Sequence, residues 1–166
     1  QQDTPPSEVV VVDSRDGLDS EPVVAEAIAA GLPARHLITD NAIATKRNCG
    51  AGQAQGDLLV FLDDDMRVPP EFISRHLDAH AGSNPVAASG PIRFPREWVE
   101  RSNYYRFKQC RHGANELTPM TVPPHRFASM NCSLTSAAFQ RIGGFDEDYK
   151  HYGGEDLDFA FRAARS

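Results

Sequence analysis

The stretch Leu58-Leu59-Val60-Phe61-Leu62-Asp63-Asp64-Asp65 decides the reading of this chain. A short unbroken apolar run, entered from the turn residues Gly56-Asp57, has the length and pattern of a strand buried on both faces of a parallel sheet. It runs directly into three carboxylates. Open parallel sheets bind ligands beyond the carboxyl ends of their strands, which is where these acids fall. Adjacent carboxylates repel one another unless a cation or solvent compensates them. Mg²⁺ and Mn²⁺ take hard oxygen ligands and commonly bridge one or two carboxylates to substrate phosphates. If the extended geometry continues past the strand, Asp63 and Asp65 point the same way and can share one ion. A solvated acidic turn is the plain alternative.

Outward from this strand, the chain alternates strand and helix signals. Upstream, Val9 to Val12 is a β-branched run that also reads as buried on both faces, and it ends in the turn chemistry of Asp13-Ser14-Arg15-Asp16-Gly17. Ser20-Glu21-Pro22 reads as a helix N-cap followed by first-turn proline; Gly31 and Pro33 stop that helix. His36 to Thr39 is a short strand candidate, and Asn41 is placed to cap a helix running to about Gln55. Downstream, Pro69-Pro70 opens a helix over 70–81, and a strand is expected near Val86 to Phe94. Trp98, Tyr104, Tyr105 and Phe107 among Arg and Lys suit an amphipathic helix, and 113–126 reads as a long loop of the kind that forms lids or binding loops. A strand over Phe127 to Leu134, a short helix over 135–141 and a terminal helix from Glu155 to Ala164 complete the order. The β-α-β-α succession predicts an α/β sandwich with a mostly parallel central sheet, in one domain.

Composition narrows the classes of function. The 166 residues carry 17 Lys+Arg against 23 Asp+Glu, a net charge of −6. No basic stripe exists to neutralise phosphates, so nucleic acid is not an expected partner. No apolar run approaches the ~18 residues of a membrane span, and the first residues lack the pattern of a signal peptide. Cys49, Cys110 and Cys132 have no metal-type spacing, which fits thiols in a reducing, cytoplasmic compartment. Any attachment to the inner membrane surface would have to come from other segments.

The second acidic cluster is His151-Tyr152-Gly153-Gly154-Glu155-Asp156-Leu157-Asp158. The glycine pair allows close backbone approach, and the carboxylates fall in the first turn of the terminal helix, where the macrodipole favours their ionised form. Such a carboxylate can act as general base; simple helix capping is the alternative. The six acids of the two clusters equal the net charge of −6, leaving a balanced remainder. Weaker candidates are His125 and His151 as metal ligands, Trp98, Tyr104 and Tyr105 as stacking platforms for a ligand, and Asn131 facing a pocket at a strand end.

The order of motifs carries a resemblance. Lys46-Arg47-Asn48-Cys49-Gly50, Ala54-Gln55-Gly56-Asp57 and Phe61-Leu62-Asp63-Asp64-Asp65 resemble the core of family 2 glycosyltransferases with the GT-A fold. Asn131-Cys132-Ser133, Ile142-Gly143-Gly144-Phe145-Asp146, Gly153-Gly154-Glu155-Asp156-Leu157-Asp158 and Arg162 are similar to the acceptor-side half. The resemblance implies a GT-A-like Rossmannoid α/β/α sandwich and inverting transfer of a sugar from a nucleotide-diphosphate donor to a hydroxyl of a carbohydrate, lipid or other acceptor. It further implies a divalent cation, Mn²⁺ or Mg²⁺, on Asp65 and Asp63, donor contacts from Asp13, Arg47, Asp63 and Asp64, and Asp156 as catalytic base with Glu155 beside it. The family also places a strand–turn–helix unit ahead of the valine strand, where only about seven residues stand here. The expectation is therefore a domain incomplete at its N-terminus, or one whose sheet a partner completes. Two other functions compete: a non-catalytic nucleotide-sugar-binding module, and a phosphoryl hydrolase, which is disfavoured because Met66-Arg67 follows the acidic triplet in place of the expected Thr/Ser and Lys.

Overall fold

A computed structural model of the chain describes residues 2–15, 20–82, 86–112 and 121–166. The predicted turn residues Asp16-Gly17 and the first part of the predicted loop, 113–120, lie outside the described residues. Strand β1 (Val9–Ser14) leads through α1 (Glu21–Ala29) to β2 (Ala34–Thr39), and α2 (Ile43–Gln53) leads on to β3 (Leu58–Leu62). Helix α3 (Phe72–Ala81), the short β4 (Ala88–Ser89), and the helices α4 (Arg96–Arg101) and α5 (Asn103–Arg111) follow. A 3₁₀ turn (Pro124–Arg126), β5 (Asn131–Thr135), α6 (Ser136–Ile142) and α7 (Glu155–Ala163) close the order.

Two hydrogen-bonded ladders result. β1 and β2 pair in parallel, Val9 opposite Ala34 through Ser14 opposite Thr39. β5 is the centre of the other ladder, in the order β3-β5-β4, with both pairings antiparallel. The α/β class thus stands and the parallel arrangement holds for β1 and β2, while β5 runs against its neighbours. The valine strand is half-buried rather than enclosed on both faces, and Val9 is exposed. Among the described residues β1 has a ladder partner on one edge only, so less of it is covered.

Several expected boundaries move for identifiable reasons. Ser20 does not cap α1 with its side chain; its hydroxyl is committed to the Asp13 carboxylate at 2.6 Å. Asn41 does not cap α2, whose N-cap is Ala42 with no side-chain bond. The expected strand at 86–94 shrinks to Ala88–Ser89, because the Ile92 N–H turns to the His112 carbonyl at 3.1 Å and leaves the ladder. The expected amphipathic helix around Trp98 divides at Ser102, whose φ of −139° is extended, and neither short helix buries a residue. The strand expected from Phe127 begins at Asn131, after the 3₁₀ turn.

The core lies between β3, β5, α2, α6 and α7. Leu59, Leu134, Phe139, Ile142, Phe145 and Phe159 are its large members. Phe145 and Phe159 stack with ring centroids 4.4 Å apart, and Phe61 meets Phe145 edge-on at 5.7 Å. Thr135 ends β5 and caps α6, accepting the Ala138 N–H at 3.1 Å, a bond worth about 1 kcal/mol at such positions. Arg162 of α7 donates to the Ile142 and Gly144 carbonyls at 2.8 and 2.7 Å, satisfying groups that the end of α6 leaves open. These contacts fix α7, and with it the Gly153–Asp158 cluster, against the end of α6.

Candidate active site

The site forms where α2, the end of β3, the residues before β5 and the start of α7 meet. Strand β3 ends at Leu62, and Asp63 begins a turn in which the Met66 N–H reaches the Asp63 carbonyl at 3.3 Å. The acidic triplet is therefore a turn rather than a continued strand. Asp63 is half-buried, while Asp64 and Asp65 are exposed. Burial pushes the Asp63 carboxyl above the usual carboxylate range; Arg47 opposes this, and the charges of Asp65 and Asp156 add to it. Asp63 and Asp65 thus share one electrostatic neighbourhood despite the turn.

Arg47 is the junction. One face of α2 carries it towards the strand ends, where its guanidinium lies 5.3 Å from the Phe145 ring centroid. Its Nη1 donates to Glu155 Oε1 at 3.3 Å and to Asp156 Oδ1 at 3.1 Å, and its Nη2 donates to Asp63 Oδ1 at 3.3 Å. One cation therefore joins both acidic clusters. Glu155 is only 5% exposed, and its Oε2 also accepts the Gly153 N–H at 3.1 Å. Gly154, with φ at +99°, makes the approach possible: a Cβ there would lie 2.6 Å from the Tyr149 ring.

Asp156 sits at the mouth of a cleft of about 240 Å³. Its Oδ1 accepts from Arg47 and from the hydroxyl of Ser129, and its Oδ2 accepts the Ser129 N–H at 3.3 Å. Ser129 is fully buried. No motif announces it; the nearest signal is a small polar residue just ahead of a buried strand. Oδ1 is saturated, while Oδ2 keeps a lone pair for a further donor.

Asp13 lies at the end of β1, apart from the Arg47 junction. It accepts from the Ser20 hydroxyl at 2.6 Å and the Ser14 N–H at 2.8 Å, and these bonds hold its carboxyl below the usual range, with a further contribution from the Lys46 charge. Lys46 and Arg47 are neighbours on α2, so this helix serves both strand ends. The structure thus brings Arg47, Asp63, Glu155 and Asp156 into direct contact and leaves Asp13 at a separate strand end.

The weaker candidates sort differently. Asn131 is 7% exposed and is held by His76 and the Pro91 carbonyl. His151 is exposed on the turn before α7, and His125 lines the cleft next to Asp156. Trp98 and Tyr104 pack on Tyr105, with centroids 5.1 and 5.3 Å away. Among the described residues no three His, Cys, Asp or Glu side chains converge as a metal cage, and no disulfide forms. A larger cleft of about 290 Å³ between α2 and α6 lies away from the carboxylates, lined by Gly52, Phe139 and Gly143 among others. Among the described residues no helix is long and apolar enough to cross a membrane.

Known proteins are similar to this chain in sequence and in fold. The sequence model described as "Glycosyl transferase family 2" matches residues 1–141. Validoxylamine A glucosyltransferase of Streptomyces hygroscopicus subsp. limoneus is 29% identical, over 98% of this chain and 42% of its own length. Hyaluronan synthase of Pasteurella multocida is 23% identical, over 96% of this chain and 20% of its own. The chain spans less than half the length of the curated relatives it matches. Among solved structures, the mannosyltransferase PcManGT from Pyrobaculum calidifontis, in complex with GDP-Man and Mn²⁺, superposes with a TM-score of 0.66 at 22% identity, covering 98% of this chain and 45% of that one. S. aureus TarS 1-349 gives a TM-score of 0.65 at 18% identity, covering 98% and 48%. These neighbours share the GT-A-type α/β fold. With the family match spanning most of its length, the chain belongs to glycosyl transferase family 2.

Proposed function

We propose that the protein transfers a sugar from a nucleotide-diphosphate donor to an acceptor hydroxyl, with Asp156 as general base and inversion at the anomeric carbon. One observation carries this reading. A single guanidinium, Arg47, holds Asp156 beside the acceptor-side cleft and Asp63 at the strand end where a diphosphate would lie. Base and donor-binding acid are thus close neighbours on opposite sides of one cation. The family match and the mannosyltransferase complex with GDP-Man and Mn²⁺ support the donor class.

The chemistry follows from the free lone pair on Asp156 Oδ2. The acceptor hydroxyl gives its proton to Oδ2 as its oxygen bonds to the anomeric carbon. The bond from that carbon to the diphosphate oxygen breaks, and the nucleoside diphosphate leaves with the electron pair. A single displacement of this kind inverts the centre. Ser129 keeps the carboxylate oriented, and Glu155, buried and spent on Arg47 and Gly153, holds Arg47 in place. Asp13 keeps its charge and is placed for hydroxyls of the nucleoside, with Asp64 an exposed donor contact nearer the diphosphate.

The residues present suit a divalent cation. Asp63, raised by burial and by Asp65, is a carboxyl in want of positive charge, and two carboxylates plus diphosphate oxygens form the kind of partial set that Mg²⁺ or Mn²⁺ takes. When bound, the ion would neutralise charge on the departing diphosphate. Calorimetry with a panel of nucleoside diphosphates, with and without Mn²⁺, tests this. Metal-dependent binding is expected, and Asp65→Ala abolishes it; equal affinity without metal defeats the cation assignment. Asp156→Asn should lower turnover by roughly 10²–10⁴-fold at retained donor affinity, and near-normal turnover removes Asp156 as base. Metal-dependent binding without any turnover in the unaltered protein favours the binding-module reading.

A further inference from the structure

One wall of the cleft beside Asp156 carries a charge opposite to that of the chain. Residues 101–112 hold Arg101, Arg106, Lys108 and Arg111 and no acid, although the protein as a whole is at −6. Arg106 is spent on the Val99 and Glu100 carbonyls, but Lys108 and Arg111 line one wall of the cleft with His112 and His125, while Tyr152, Glu155 and Asp156 line the other.

The Lys108 ammonium lies 5.7 Å from the Tyr104 ring centroid, and Arg111 gives one donor to the His125 carbonyl at 3.3 Å. Among the described residues neither forms an ion pair with a carboxylate. Glu155 and Asp156, the acids of the same cleft, are paired with Arg47. Both ring nitrogens of His112 are buried and have no hydrogen-bond partner among the described residues. An unmet buried donor of this kind costs about 1–3 kcal/mol. The charge of Asp156 acts on His112, together with those of Lys108 and Arg111, so these groups share one electrostatic site. Tyr152, 82% exposed, offers a ring face at the lip.

We propose that this cleft selects an anionic acceptor: a hydroxyl compound bearing a carboxylate or phosphate close to its reacting oxygen. Lys108 and Arg111 hold the anion, and His112 lines the cleft beside them. The acceptor hydroxyl is then left to Asp156 Oδ2. This assignment names the acceptor class for the transfer proposed above and rests on that reading.

The test is a binding titration of the protein with two matched pairs, methyl glucuronide against methyl glucoside and glycerol 3-phosphate against glycerol. Affinity is read by calorimetry, and the site by the imidazole NMR signals of His112. At least one anion should bind about tenfold or more tightly than its neutral partner and shift His112. Which anion does so distinguishes the carboxylate from the phosphate. Lys108→Gln and Arg111→Gln should each reduce that preference, and circular dichroism reports whether they fold. Equal affinity within both pairs, absence of binding by either anion, or a preference that survives in the double variant overturns the proposal. Nucleotide binding is measured separately through Asp65, so loss of the transferase reading is distinguishable from failure of the anion preference.

Discussion

Arg47 supplies one positive charge to three carboxylates, and one of them, Glu155, is almost wholly buried. Breaking a buried pair by removing one partner leaves an uncompensated charge, a loss of typically 3–5 kcal/mol. Asp63 and Asp156 retain some solvent, so Arg47→Ala is expected to cost roughly 3 kcal/mol, read as a lower urea midpoint at unchanged m-value. Arg47→Lys should recover only part, because an ammonium lacks the planar fork that reaches three acceptors. A loss below about 1 kcal/mol would mean that solvent already compensates Glu155. Arg47 was legible in the sequence as a site residue, but its partners were not. They stand 16, 108 and 109 positions away, and no local period links such distances. Ser129 was invisible for the same reason: a lone serine has no pattern, and only the fold aims its hydroxyl at Asp156.

At the scale of elements, α2 is stitched to the turn after α6 by Asn48. Its side chain accepts the Phe145 N–H at 2.8 Å and donates to the Phe145 carbonyl at 2.8 Å and to Glu147 at 2.9 Å. The turn itself needs Gly144, where φ is +67° and a Cβ would come within 2.8 Å of Asn48 Oδ1. Asn48→Ala leaves both backbone groups of the buried Phe145 without partners. The expected loss is roughly 1–3 kcal/mol by urea denaturation, with faster amide exchange at Phe145. Element order was readable from apolar runs and turn residues because those signals are local. Element ends were not, because side chains that would cap a helix were claimed by distant groups, as Ser20 is by Asp13. The direction of β5 against β3 was equally unreadable, since period-2 patterning is the same in parallel and antiparallel ladders.

Across the whole molecule, a polar knot ties α3 to the central strand. Asn131 Nδ2 faces the Pro91 carbonyl, so its Oδ1 must accept from His76 Nε2–H at 3.0 Å. His76 Nδ1 is then an acceptor, taking the Ser133 hydroxyl at 2.8 Å, and His80 Nε2–H donates to the same oxygen at 3.0 Å. The knot is complete only when His76 is neutral, and burial together with the charge of His80 holds its pKa below the ordinary 6.5. A folded-state pKa below the unfolded value means that the unfolded chain binds more protons. This contribution to stability is full above about pH 6.5 and is lost as pH falls from there towards the lower folded value. Urea midpoints at pH 7.5 and 5.5 should show the decline, and His76→Gln should reduce it; an unchanged slope would place the titration elsewhere, with His112 the next group to test. The sequence by itself determined the α/β class, the order of elements and the two acidic clusters, because apolar periodicity, turn residues and local charge are properties of neighbouring residues. Only the tertiary structure decided that one arginine joins those clusters, that Asp156 offers Oδ2 to a cleft, and that Lys108 and Arg111 line that cleft. Those are contacts between residues far apart in sequence, fixed by packing around Phe145 and Phe159 rather than by any local preference.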